Sequence, residues 1–372
     1  MAYRDGVIGD REPRVLCPEK LAGIRPLYVQ ADGTLWASRS SAILRSTDHA
    51  HSFEDVVRFV PDVSHTLGDS FRIACRLLRT GFHSFLPLST GDYLGIVKGH
   101  ILLCSRGENK FKKIFRFRRG SRPLNICATP DGRLYFGEYF SNREREAVYI
   151  YGSEDHGKTW EPVYTFSRGN IRHVHGVYYD PYRSGCWILT GDEGRECKLL
   201  FTANHFRTVE VVKEGDQSVR AVGVLPMPDA LIVPMDSPLE TSYIQRMDMK
   251  TCALEKLCRL PGSALAVGTA GPYLLVSSGV EPSKVNRSKE SVIFISKNGV
   301  DWRILHRGKK DMLPGKLFQY GLFNFPGGQN HGPLLYAWGV AVADSDNCML
   351  SWNLEDVENA LFADQAETVP VA

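Results

Sequence analysis

"YGSEDHGKTW", Tyr151 to Trp160, is a polar run that ends in a tryptophan. Ser153, Asp155 and Gly157 carry turn chemistry, because short polar side chains bond back to their own backbone and glycine enters positive φ without steric cost. Apolar alternation flanks the run, "AVYIY" before it and "EPVYTF" after it. The stretch therefore reads as a tight hairpin. Trp160 opens the second strand, and its ring is expected to fold into a core.

Weaker echoes of this hairpin recur in "ILRSTDHAHSFEDVVRF" (Ile43 to Phe59), "LLFTANHFRTVEVV" (Leu199 to Val212) and "VIFISKNGVDWRIL" (Val292 to Leu305). Upstream of each lies another pair of apolar segments joined by a turn, such as "RPLYVQADGTLWAS" and "HVHGVYYDPYRSGCWILTGD". Joined, they make units of four short strands recurring every ~40–50 residues, the spacing of propeller blades. Seven units follow: 24–59, 77–118, 122–166, 172–212, 219–260, 264–306 and 317–354. The expected fold is all-β, one β-propeller domain over residues 1–372. Gly327, Gly328 and Asn330 interrupt the last unit, which makes six blades the alternative. No amphipathic helix is expected before "LEDVENALFADQ". The N-terminal "PRVLCP" is expected to close the last blade, and Val369 to Ala372 to form a tail.

Ser153-x-Asp155-x-Gly157-x-Thr159-Trp160 resembles the Asp-box, or BNR, repeat of sialidases and many other propeller proteins. The resemblance implies a hairpin between the third and fourth strands of a blade, on the face away from an active site, with Asp155 bracing the turn and Trp160 wedged between blades. "GEYFSNRERE" (Gly137 to Glu146), taken with the 170–194 segment, also resembles uncharacterised sialidase-like proteins of the glycosyl hydrolase type. The sialidase mechanism does not carry over. Its F/Y-R-I-P motif is matched by neither "GIRPL" (Arg25-Pro26) nor "SRPLN" (Arg122-Pro123), and adjacent strand residues such as Glu138 and Tyr139 point to opposite faces.

Composition fits a globular chain: 43% of the 372 residues are hydrophobic and 23% charged, and a net charge of +3 argues neither for nor against an anionic partner. No apolar run reaches the ~20 residues that span a bilayer, and the charged N-terminus lacks a secretory h-region. Nine cysteines (Cys17, Cys75, Cys104, Cys127, Cys186, Cys197, Cys252, Cys258, Cys348) are scattered without CxxC spacing. Buried reduced thiols and a cytoplasmic location are expected, without a structural zinc site. The basic run "NKFKKIFRFRRGSR" (Asn109 to Arg122) reads as a solvated outer strand, not a nucleic-acid surface. GxSxG, HExxH, Walker A and Rossmann fingerprints do not occur.

In a propeller, the starts of innermost strands and the ends of second strands meet on one face around the central channel. Those positions hold Arg25, His83, Arg122, Arg172, His173 and Arg220, and Glu138, Tyr139, Asp192, Glu193, Asp236 and Glu281. Arg25, His83, Arg122, Arg172, Arg220 and Asp236 are the expected substrate-binding set, because a guanidinium fork matches an oxyanion; cross-blade pairing of the arginines and acids is the alternative. His173, His175, Glu138, Tyr139 and Asp192 are the catalytic candidates. His173 and His175 share one face of a strand. They suit an acid/base pair, satisfied structural groups, or two metal ligands completed by Asp192, Glu138 or His83. No cofactor is expected, a divalent metal on His173, His175 and Asp192 being the alternative. The expected activity is cleavage of an acidic glycan or polysaccharide, by hydrolysis or β-elimination. The alternative is a non-catalytic propeller binding a glycan or a protein. No nucleic acid and no membrane span are expected, and the oligomeric state stays open.

Overall fold

The computed structural model describes residues 16–363, and over them the chain builds seven antiparallel blades arranged in a ring. Blade 1 comprises Arg25–Val29, Leu35–Arg39, Ala42–Ser46 and Glu54–Arg58, with Gly327–Gly328 added in parallel to the innermost strand. Blade 2 runs from Ser84–Pro87 to Lys112–Arg116, blade 3 from Cys127–Ala128 to Glu161–Phe166, and blade 4 from His173–Asp180 to Glu210–Glu214. Blade 5 runs from Leu225–Pro226 to Leu254–Arg259 and blade 6 from Ala264–Ala270 to Arg303–Lys309. Blade 7 takes Leu322–Asn324, Leu334–Val340 and Cys348–Asn353 from the C-terminal side, and Glu19–Ala22 as its outermost strand.

That last pairing closes the ring, since Glu19 lies opposite Ser351 and Ala22 opposite Cys348. Closure comes from Glu19–Ala22; of the expected "PRVLCP", residues 13–15 lie outside the described residues, and Leu16 to Pro18, with a proline that cannot donate to a ladder, form no strand. Val369 to Ala372 also lie outside them. The basic run supplies the outermost strand of blade 2, largely exposed at Lys112–Arg116.

Burial explains the strand pattern. Central strands are apolar on both faces because each blade packs against two neighbours: Ala230–Pro234 and Gly185–Gly191 are buried throughout. Trp160 fills the seam between blades 2 and 3, 8% exposed, with its ring 5.1 Å from Phe136 and 6.4 Å from Phe115. The hairpin before it is held by side chains: Asp155 Oδ1 accepts from Ser153 Oγ (2.8 Å) and Thr159 N (2.9 Å), Ser153 Oγ accepts from Gly157 N (2.8 Å), and Trp160 Nε1 donates to the Gly157 carbonyl (3.0 Å).

The same ladder is built by Ser46, Asp48 and Ser52 in blade 1, and by Thr202, Asn204 and Thr208 in blade 4. Ser296, Asn298 and Trp302 form a shorter version in blade 6. The fifth position has φ +87° at Gly157 and also takes positive φ at Ala50 and Phe206, so the geometry persists where glycine is replaced; in the shorter blade 6 version the fourth position, Gly299, takes it.

Two helices, Val63–Ser70 and Arg72–Leu78, link blades 1 and 2, against the expectation of an all-strand chain before the C-terminal helix Leu354–Leu361. They are short and largely exposed on their apolar side, so no helical stripe marks them. Polar contacts fix them instead. Asp62 caps the first through His65 N (3.0 Å), Arg72 pairs with Asp346 (2.6 Å), and buried Arg76 bonds to Asp311 and the Phe318 carbonyl. No helix among the described residues is long and apolar enough to cross a membrane. Of the nine thiols, only Cys104, Cys127, Cys186 and Cys197 are buried, while Cys17 is exposed and four are half-buried.

Candidate functional site

Every link from an outermost strand to the next innermost strand leaves on one face of the ring, as does every turn between second and third strands. On this face, opposite the polar hairpins, blade 4 places its two histidines at the start of its innermost strand and Asp192 just past its second. A β-bulge shifts the register between Val174 and Gly176, leaving His175 as the extra residue and turning its ring toward that of His173. Gly191 makes this turn sterically accessible: a Cβ there would lie 2.7 Å from His175 Cε1.

Both rings are buried, His173 5% and His175 1% exposed. His173 Nδ1 lies 2.9 Å from the Phe140 carbonyl and His175 Nδ1 2.9 Å from the Ala221 carbonyl. A carbonyl only accepts, so each Nδ1 donates to its carbonyl, and Nε2 is the nitrogen that each ring presents to the site. The two Nε2 atoms face each other at 3.1 Å, and Asp192 Oδ1 lies 3.2 Å from one and 3.4 Å from the other. Two ring nitrogens and a carboxylate oxygen thus converge on one point. Tyr139 stacks beside them, its ring centroid 4.3 Å from that of His173. Burial and the nearby Asp192 and Asp236 push its phenol above the usual value.

The arginines divide into two groups. Arg172 Nη1 donates to Asp192 Oδ2 (2.9 Å), and Arg220 Nη2 lies 3.2 Å from Asp192 Oδ1 and 3.3 Å from Asp236 Oδ2. Burial would raise the Asp192 carboxyl, but hydrogen bonding to His173 and His175 and the Arg220 charge hold it well below the usual range. Glu281 is pushed up by burial and by Asp236. Arg25 and Arg122, in contrast, have no carboxylate partner among the described residues. Arg25 lies over the Trp338 ring at 4.2 Å and reaches the His83 carbonyl at 3.4 Å; Arg122 reaches the Pro123 carbonyl at 3.4 Å. Burial lowers both, Arg25 further through Arg122, and Arg122 through Arg79. Burial and the Arg122 and Arg25 charges hold His83 well below its usual value, and its Nε2 sits 3.1 Å from the Arg79 carbonyl.

Glu138 stands apart from this cluster. The strand alternation sends it away from Tyr139, into a bidentate pair with Arg119 and a bond from Tyr149 N (3.0 Å), so it braces blade 3. Glu193 is exposed on the surface. Asn142 bridges the carbonyls of Glu146 and Arg172 and orients the entrance to the histidine strand. Residues that sequence reading did not single out also join the mouth. Gln217 donates to the Asp192 carbonyl (2.8 Å), Arg79 follows the second helix, and burial and the Glu281 charge raise the Tyr320 phenol. A cavity of about 180 Å³ beside Thr129, Cys186 and His205 lies on the opposite, hairpin face.

No family model matches the sequence, and no curated protein matches it. Solved structures similar to the chain are seven-bladed propellers. YCF48 from Cyanidioschyzon merolae aligns with a TM-score of 0.55 at 11% identity, over 91% of this chain and 99% of that one. The extracellular domain of a putative hybrid two-component system, BT4673 from B. thetaiotaomicron, aligns with a TM-score of 0.56 at 8% identity over 90% of this chain and 39% of its own. AFV00434, an ancestral GH74 enzyme, aligns with a TM-score of 0.51 at 10% identity over 88% and 44%. At such identities the likeness is one of fold.

Proposed function

We propose that the mouth of this propeller binds an acidic glycan, a uronic-acid polymer in particular, and cleaves it. The observation that carries the reading is the contrast within the ring. Blades 1 to 3 bring the half-buried guanidinium groups of Arg25 and Arg122, with exposed Arg79 beside them, to the mouth without carboxylate partners among the described residues. Blades 4 to 6 bring the convergent His173, His175 and Asp192 with Asp236 and Glu281. Tyr139 lies within reach of both groups: after burial, the charges acting on its phenol are those of Asp192, Asp236, Arg220 and Arg122. Partly desolvated cations without counter-ions gain from an anionic ligand that supplies the missing partner. The hairpin ladders support an Asp-box origin for the blades, and the GH74 neighbour is in keeping with glycan chemistry on this fold.

β-Elimination suits the groups better than hydrolysis. A base takes the proton next to the sugar carboxylate, the electron pair forms a C=C bond, the glycosidic C–O bond breaks, and the departing oxygen takes a proton. The arginines neutralise the carboxylate as its neighbouring carbon gives up the proton, and proton transfer falls to Tyr139 and the imidazoles. Hydrolysis needs two carboxyl groups across the scissile bond; Glu138 is committed to Arg119, Asp192 is enclosed by two arginines and two histidines, and Asp236 lies 3.3 Å from Arg220, which leaves Glu281. A non-catalytic binding role is the second reading, favoured by the internal pairing of Arg172 and Arg220 with Asp192 and Asp236.

Calorimetry with oligouronates of defined length tests the binding half. The wild-type chain should bind them in preference to neutral oligosaccharides, and Arg25→Ala/Arg122→Ala should weaken binding by about 100-fold, two charge-assisted contacts at ~1.5 kcal/mol each. Equal affinity for charged and neutral sugars would remove the reading.

A further inference from the structure

We propose that His173 Nε2, His175 Nε2 and Asp192 Oδ1 form a divalent transition-metal site. The argument begins with the backbone. Each Nδ1 hydrogen is committed to a main-chain carbonyl, Phe140 for His173 and Ala221 for His175, so both Nε2 atoms have ligand character. Two ring nitrogens and a carboxylate oxygen then converge, with both rings at least nine-tenths buried and Asp192 half-buried at the open side. A divalent ion at their centre takes the place of the hydrogens shared among the two Nε2 atoms and Asp192, and its binding releases protons.

The separations match ligand geometry. The three atoms form a triangle with edges of 3.1, 3.2 and 3.4 Å. Ligands about 2.0–2.2 Å from an ion are about 2.8–3.1 Å apart in an octahedron and about 3.3–3.6 Å apart in a tetrahedron. Two imidazoles and one carboxylate on one face of an ion leave its other positions open, as in sites that bind substrate oxygen. An outer layer is also in place. The two carbonyls fix the rings, and Arg172 holds the remaining Asp192 oxygen at 2.9 Å. Arg220 approaches the ligating oxygen at 3.2 Å and is balanced by Asp236 at 3.3 Å. The donor set fits Zn²⁺, Mn²⁺ or Co²⁺ better than Ca²⁺ or Mg²⁺, which take oxygen ligands. With the site loaded, the histidines are ligands, and Tyr139 is the remaining side chain of the cluster free to move a proton.

The test uses the full-length chain, stripped with chelator and titrated separately with ZnCl₂, MnCl₂ and CoCl₂ by calorimetry, with visible absorption following the Co²⁺ titration. One equivalent of at least one ion should bind, and Co²⁺ should give ligand-field bands. His175→Ala and Asp192→Asn should each weaken binding by more than about 100-fold, beyond the effect of losing an outer-layer partner. Absence of binding in the wild type, or equal affinity in both variants, overturns the proposal. Should either variant lose its cooperative melt, imidazole ¹⁵N spectra of the wild type decide: Zn²⁺ should shift two Nε2 signals, and unshifted signals overturn it. Glycan cleavage by metal-free protein that binds no ion removes the metal site and leaves the proposed function standing.

Discussion

Gly191 is the residue on which the arrangement of the mouth depends most. Its missing Cβ leaves room for His175, whose Cε1 would otherwise be 2.7 Å away. Gly191→Ala should therefore displace the His175 ring while leaving the blade paired, and a crystal structure of the variant should show His175 Nε2 no longer within 3.5 Å of Asp192. Trp160 has the opposite role, since its ring serves packing on the far side of the molecule. Trp160→Ala should destabilise the fold by about 3–5 kcal/mol, the usual loss for a buried aromatic, read as a lower denaturation midpoint in urea with little change in glycan affinity. Both positions were readable to different depths. The HxH spacing put two imidazoles on one face, but the bulge that makes them touch leaves no mark in "HVHGV". Arg79 escaped notice because it follows a helix that carries no helical stripe. Glu138 was misplaced by its neighbour: with Tyr139 facing the mouth, the pleat sends Glu138 to Arg119.

At the scale of elements, the hairpin ladder explains why the repeat was legible. One side-chain oxygen at the first position and one carbonyl or carboxylate at the third satisfy the turn, so Ser or Thr followed two residues later by Asp or Asn is all that recurs. The helices between blades 1 and 2 were not legible, because buried Arg76 and its partners near residues 311–318 anchor them instead of an apolar face. The outermost strand of blade 6 carries a pH-sensitive contact. His306 lies against Phe323 and Trp352, and burial together with Lys20 lowers it to about 4. The unfolded chain then binds more protons than the folded one between about pH 6.5 and 4. Stability should fall as pH drops through that window and level off below it. Thermal melts of His306→Phe between pH 7 and 4 should show a smaller decline than wild type; parallel curves would exclude His306 as the origin.

For the molecule as a whole, closure and polarity are the two organising features. Glu19–Ala22 joins the first described strand to the last blade, with Gly23 N donating to the Asn347 carbonyl at 2.8 Å and Lys20 Nζ to the Asp344 carbonyl at 3.0 Å. Deleting residues 1–22 should lower the melting temperature by several degrees and broaden the transition in calorimetry, because blade 7 loses its outer ladder. An unchanged melt would mean that closure does not depend on this strand. Blade number and sidedness followed from the repeat, whereas the distribution of charge around the mouth needed coordinates, since pairing separates Arg172 and Arg220 from Arg25 and Arg122 only in three dimensions. The most direct measurement is product formation: wild type, Arg25→Ala/Arg122→Ala and His173→Ala/His175→Ala are incubated with polyuronates, sulfated polysaccharides and neutral glycans, and the mixtures are followed by mass spectrometry and by absorbance of unsaturated uronate ends. The account predicts unsaturated oligomers from a polyuronate with wild type, reduced by about 100-fold or more in both folded variants. Binding without any product across the panel, or products undiminished in the histidine variant, would contradict it.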